Sequence, residues 1–149
     1  MRRFLVVTVV IVLGILLAAL FRGCSKHAYT QYQWEVTSET MVARMQGVDR
    51  YRMTAHGCPA ASSIEELDLV LVPEYLVRTP QQDNWGTPLR YERWRDENGQ
   101  EHCGMGAAGS DTLWEHEHLA DYRASRPESL EADGVLVDGE WRQIPVGIQ

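Results

Sequence analysis

Apolar positions are spaced along this chain in four different ways, and each spacing predicts a different element. Phe4 to Phe21 is an uncharged run broken only by Thr8 and Gly14. About 18 such residues at 1.5 Å rise make roughly 27 Å of helix, enough to cross a hydrocarbon core. A helical spacing follows: Met41, Met45 and Val48 recur at i, i+4 and i+7, with Tyr51 and Arg52 one turn on. Ser38 is placed as an N-cap and Gly57-Cys58-Pro59 as a stop, which predicts a helix over about 38–55. Between the two lies Ser25 to Val36, polar with Tyr29, Tyr32 and Trp34 interspersed. It reads either as a set of interfacial aromatics or as a continuation of the first helix. Ile64, Leu67 and Leu71 give a third, shorter helical face, opened by the Ser63–Glu66 capping-box pair and closed by Pro73.

From Leu89 onward the spacing changes to that of strands. Asn98-Gly99 predicts a hairpin between Leu89–Arg95 and Gln100–Met105, and Asp138-Gly139 predicts another between Val135–Val137 and Glu140–Ile144. A glycine-rich stretch, Gly104 to Asp111, and an acidic, His-bearing stretch, Leu113 to Tyr122, lie between them. Helices followed by an antiparallel sheet define an α+β fold: an N-terminal membrane-spanning helix, then a helix and a small antiparallel sheet. The expected division is an anchor over residues 1–26 and one extracytoplasmic domain over 27–149.

Charge sharpens this picture. The formal net charge is −7, and residues 1–26 carry four basic and no acidic side chains, so residues 27–149 carry −11. A domain that acidic is not expected to bind nucleic acid or an anionic membrane surface. Arg2 and Arg3 favour a cytoplasmic N-terminus, although Arg22 and Lys26 flank the other end of the run. No A-x-A site follows the run, which favours a retained signal-anchor. Gly23-Cys24 offers a lipoprotein ending as the alternative, and an ordinary cleaved signal peptide is the third reading. Cys58 and Cys103 are then either one disulfide in an oxidising space or two separate buried thiols.

Candidate chemistry is sparse. His116 and His118 in Glu115-His116-Glu117-His118 share a face only on a strand, and no spaced ligand pair completes a zinc set. The segment reads as a solvated acidic surface. Cys103 beside His102 lacks an orienting partner for a nucleophile, and Gly104 to Gly109 lacks the Gly-Lys-Ser/Thr ending of a phosphate loop. No catalytic, cofactor-binding or metal-ligating residue is assigned.

One stretch, Pro73 to Tyr91, reads PEYLVRTPQQDNWGTPLRY. It resembles the pseudopilins of type II secretion systems, closest to the major (G-type) pseudopilin, in which a Tyr-Leu and a Pro precede Asp-Pro-Trp-Gly-x-Pro-Tyr-x-Tyr. Tyr75, Leu76, Pro80, Asp83, Trp85, Gly86, Pro88 and Tyr91 match, while Asn84 and Leu89 replace Pro and Tyr. The likeness spans roughly residues 38–111. It implies a structural motif in which Asp83 accepts local N–H bonds, Gly86 takes a positive φ and Trp85 plugs a small core. The chain departs from the family at its N-terminus, where Gly14 is followed by Ile15-Leu16-Leu17-Ala18-Ala19 with no carboxylate in the apolar run. Many members bind calcium in the loop after the hairpin. Here Ala107 and Thr112 stand at the Ser and Gly positions of that loop, with Asp111 retained and Glu115 and Glu117 beyond, a poor set for an ion needing six to eight oxygens. The resemblance therefore implies a non-enzymatic structural or interaction protein of the bacterial envelope, without a cofactor. It would be a single-pass protein of the inner membrane, held through residues 4–21, with its domain in the periplasm and protein partners in an envelope or secretion assembly. The alternatives are an anchored or lipidated binding module unrelated to secretion and a metal-dependent hydrolase.

Overall fold

The computed structural model describes residues 2–127 and 129–144, and for 2–11 and 16–26 the backbone alone. Helix α1 runs unbroken over Arg2–Ala55. No second helix starts at Ser38: its Oγ donates to the Glu35 carbonyl at 2.8 Å, the bond a serine makes inside a helix rather than at its start. No proline interrupts the segment before it, so the helix continues through. The stop comes where expected but one residue early: His56, not Gly57, takes the left-handed conformation (φ 59°), and its N–H donates to the Arg52 carbonyl. The expected membrane span over 4–21 falls mostly on side chains outside the described residues. Among the described residues, no helix is long and apolar enough to cross a membrane.

Helix α2 spans Ile64–Leu71 and buries the predicted face of Ile64, Leu67 and Leu71. Ser63 caps it, accepting from the Glu66 N–H at 3.2 Å, but Glu66 reaches back to the N–H and hydroxyl of Ser62 rather than to Ser63. Four strands follow: β1 (Arg90–Arg95), β2 (Glu101–Ala107), β3 (Gly134–Val137) and β4 (Glu140–Gln143). They form one antiparallel sheet in the order β1-β2-β3-β4. The molecule is an α+β fold in which the long helix packs on a four-stranded antiparallel sheet.

The two hairpins close differently. At Asp138-Gly139 both residues have positive φ (50° and 82°), the two-residue turn whose twist suits flanking strands. At Asn98-Gly99 the loop is wider. The Gly99 N–H donates to Asp96 O, the Asp96 N–H to Gln100 O, and the Asp96 carboxylate accepts from the Asn98 and Gln100 amides.

Strand alternation sorts side chains onto two cores. Tyr91, Cys103, Met105 and Leu136 face α1, whose buried stripe is Trp34, Met41, Met45 and Val48. Val135 and Val137 face the other way, under Leu119 and Tyr122 of the long 108–133 connection. The glycine-rich stretch is not a loop: Gly104 and Gly106 lie inside β2. A Cβ at either would come within 2.9 Å of the Trp94 ring or 2.8 Å of Leu119, with Trp114 beside it. Glycine is there because aromatic and leucine side chains lie directly on the strand.

Trp34 is no interfacial aromatic. It is fully buried, and its Nε1 donates to the Leu130 carbonyl at 2.7 Å. Gly134 makes room for it, since a Cβ there would sit 2.7 Å from the ring. Trp85, expected as the plug, is half-buried and meets Trp34 edge-on at 5.1 Å between centroids. Cys58 and Cys103 are disulfide-bonded, with Cα atoms 5.9 Å apart across 45 residues of chain. Closing a loop of that length is worth about 4 kcal/mol in the chain-entropy account. Such a bond persists in oxidising surroundings and points to an extracytoplasmic domain.

The two tryptophans should therefore separate in a denaturant titration of the full-length protein in detergent. Trp34→Ala is expected to cost about 3–5 kcal/mol. Trp85→Ala, which loses a half-buried ring and one aromatic pair, is expected to cost about 1–3 kcal/mol. Equal losses, or a larger one at Trp85, would contradict this assignment of the plug.

Candidate functional site

The motif stretch after α2 is held from inside by one side chain that the pattern of the sequence does not single out. Arg44 projects from α1 and is completely buried. Its guanidinium pairs with the Asp68 carboxylate of α2 and donates to the carbonyls of Thr79 (2.9 Å) and Pro80 (2.8 Å). Asp68 also accepts from the Gln81 side chain at 2.9 Å. A buried cation is tolerated only when paired and hydrogen-bonded, and here α2 and the 79–80 stretch supply the partners.

Beyond Pro80 the chain turns around Asp83. Its Oδ1 accepts the Trp85 and Thr87 amides at 3.0 and 2.8 Å, its carbonyl accepts the Gly86 amide, and Gly86 has φ 88°. Burial pushes the Asp83 carboxyl above its ordinary range, against the pull of the amides of Thr87, Trp85 and Gly86. Asn84 fastens the turn to α1, through its amide to Thr37 Oγ1 at 3.1 Å and its side chain to the Gln33 carbonyl at 3.3 Å. The expected structural role of Asp83 and Gly86 is the one the geometry shows.

A second polar cluster ties the end of α1 to the sheet. Asp138, in the β3–β4 turn, accepts from Arg52 (2.8 Å) and from the Cys103 amide (3.1 Å), and lies 2.6 Å from His102 Nδ1. Burial raises the Asp138 carboxyl, but bonds from His102 and Cys103 and the nearby Arg52 charge outweigh it and hold it below its ordinary value. His102 stacks on Trp94 and has Asp96 3.6 Å from Nε2. A histidine between two carboxylates resembles an acid–base pair. The neighbouring Cys103 sulfur is not free to act as its nucleophile, because it is bonded to Cys58.

The acidic, His-bearing segment docks as a loop over the sheet. The carbonyls of His116 and Glu117 accept from Arg90, which also stacks over Trp114 at 3.9 Å. His116 packs edge-on against Tyr122, while His118 lies 3.8 Å from Glu92, so the two imidazoles have separate partners. Beneath them Asp133 is fully buried. Its Oδ2 accepts from the Tyr122 hydroxyl and the Glu115 amide, and its Oδ1 has no hydrogen-bond partner. Burial pushes the Asp133 carboxyl up to about 6 in spite of the bonds from Tyr122 and Glu115.

These residues do not fit calcium. The Asp111 carboxylate caps its own turn through the Leu113 amide, and Glu115 Oε2 accepts from Gln143. Among the described residues, no group of three or more His, Cys, Asp or Glu side chains converges as a ligand set. Arg44 escapes the sequence because a lone charged residue on a helix is indistinguishable there from a solvated one, and the partners of Asp133 and Asp138 are set by distant segments that no local spacing records. In comparisons with protein-family models, with curated proteins and with solved structures, nothing matches this chain.

Asp133 carries a pH signature. Its folded-state pKa lies above its unfolded value, so the folded state binds the extra proton and stability falls as pH rises from about 4 to about 6. A displacement of that size corresponds to at most about 3 kcal/mol. Asp133→Asn should lose this slope: its stability relative to the parent, from urea titrations of full-length protein at pH 4 to 7, should rise across that window and level off above it. Parallel pH profiles would contradict the burial of an ionisable Asp133.

Proposed function

We propose that this protein is a structural or interaction module of a bacterial envelope, built as a pseudopilin-like domain on an uncleaved anchor. The carrying observation is the continuity of α1. One helix extends from the apolar N-terminal run into the centre of the domain, where Trp34 to Val48 form half the core. In its N-terminal part Val12, Leu13 and Ile15 are 51%, 59% and 65% exposed. Apolar side chains standing out from a helix remote from any packing partner suit a lipid surround. The disulfide agrees with a periplasmic domain.

The pseudopilin-like part of the reading rests on the Pro73–Tyr91 motif, now with a physical role for its parts. Asp83, Gly86 and Trp85 build a tight turn that seals the core against α1. The absence of a carboxylate in the apolar run favours a domain that has kept the scaffold without prepilin processing. The metal-dependent hydrolase has the least support, since His116 and His118 are engaged with different partners.

Intact-mass measurement of the protein extracted from membranes tests the anchor. The expected species begins at Met1, with or without its formyl group. A mature chain starting at Ile15 would overturn the uncleaved anchor in favour of prepilin-type processing, and a diacylated Cys24 would overturn it in favour of a lipoprotein.

A further inference from the structure

The two edges of the sheet are treated differently. At β4 the end of the edge is covered: the Ser125 amide donates to the Arg142 carbonyl at 2.8 Å, Ser125 bridges Gln143 in parallel, and the two side chains bond at 2.8 Å. At β1 nothing closes it. The pairing of Arg90 with Gly106 through Arg95 with Glu101, together with the Asp96–Gln100 bond, fixes the alternation. Glu92 and Trp94 turn their peptide groups toward β2, and Tyr91, Arg93 and Arg95 turn theirs outward. Among the described residues these outward groups have no partner, whereas the next outward amide, Leu89, donates to Gln81. The strand borders a groove of about 780 Å³, walled by Ala60, Ala61 and Ser62 on one side and His118, Ala120 and Asp121 on the other. A six-residue strand offers about 20 Å of pairing edge.

Charge selects the occupant. Three of the arginines of this acidic domain lie on β1. Arg90 is consumed by the His116 and Glu117 carbonyls, but among the described residues Arg93 has no ion pair and Arg95, 69% exposed, only a 3.8 Å approach to Glu101. Of the carboxylates on the groove wall, Glu66 binds Ser62 and Glu92 accepts the Leu119 amide, while Asp121 lies with His118 on the wall beside Glu92, toward the face of the strand away from Arg93 and Arg95. A second copy of the chain is disfavoured. Pairing by outward residues about a two-fold at Arg93 sets Arg93 against Arg93, and about Glu92 sets Glu92 against Glu92, and like charges directly opposite repel.

We infer that the β1 edge docks an extended acidic segment of a partner protein, which adds a fifth strand beside Tyr91–Arg95 and places carboxylates opposite Arg93 and Arg95. Main-chain bonds would supply the binding and the two arginines the choice of partner. The surface is independent of the anchor and of the envelope reading, and it holds for any compartment in which such a segment is met.

The test uses the full-length protein in detergent micelles with two blocked heptapeptides, one alternating Glu with Val and one alternating Lys with Val. Binding is followed by fluorescence anisotropy and by amide hydrogen exchange. The Glu peptide should bind at least tenfold more tightly than the Lys peptide and should protect the amides of Tyr91, Arg93 and Arg95. The doubly reversed variant, Arg93→Glu with Arg95→Glu, should bind the Lys peptide instead while keeping its melting temperature. Failure of both peptides to bind would overturn the proposal and leave the arginines as guards against edge pairing. So would equal binding of the two peptides, or protection of the three amides that grows with protein concentration in the absence of peptide.

Discussion

The segment after α2 is organised around one buried positive charge, that of Arg44. Taking a guanidinium out of water is costly, and because it keeps its charge its surroundings must supply acceptors in the plane of its five N–H groups. Arg44 finds them in three places at once: the Asp68 carboxylate of α2 and the carbonyls of Thr79 and Pro80. Lysine could not take the role, since a point charge with three donors does not span a carboxylate and two carbonyls in one plane. Meeting that requirement fixes α2 against α1 and brings the chain at Pro80 back onto the helix. The following turn then needs little else: Asp83 gathers the amides of Trp85 and Thr87, Asn84 fastens to Thr37 and Gln33, and Trp85 comes to rest on Trp34.

The same helix carries the mechanical consequence. Because α1 is unbroken from Arg2 to Ala55, no hinge of the Pro or Gly-pair kind separates its N-terminal run from the core. Its far end is tied down twice more, by the Cys58–Cys103 disulfide and by Arg52 on Asp138. A sheet secured to the helix at its core stripe, at Arg52 and just past its end moves with the helix as one body.

Much of this was legible where one local signal was sufficient. Ile64, Leu67 and Leu71 bury as their spacing indicates, and Asp138-Gly139 turns as a two-residue hairpin because both residues accept positive φ. Legibility failed where a tertiary neighbour decides. Ser38 is as good a cap as any serine, but nothing before it breaks the helix, so it bonds within the turn. Trp34 has the amphipathic character of an interfacial ring, and only the approach of Gly134 and Leu130 reveals a core position. Gly104 and Gly106 look like a flexible loop until Trp94, Trp114 and Leu119 are laid over them. The cysteine pairing stayed open for the same reason: it depends on whether the end of α1 reaches β2, which no spacing records. The open β1 edge is likewise tertiary: sheet order makes β1 and β4 both edges, and only the Ser125 bridge to Gln143 tells them apart.

The central claim is that Arg44 holds the 79–89 segment onto the helix, and native-state amide exchange of the full-length Arg44→Met protein tests it most directly. Met keeps much of the stem while removing every donor. The amides of Asp83, Gly86 and Leu89, all hydrogen-bonded in the parent, should exchange at least tenfold faster, a local loss of about 1.4 kcal/mol. Those of β2 and β3 should keep their protection. Unchanged protection across residues 83–89 would mean that the motif holds itself in place and that the buried charge is incidental to it.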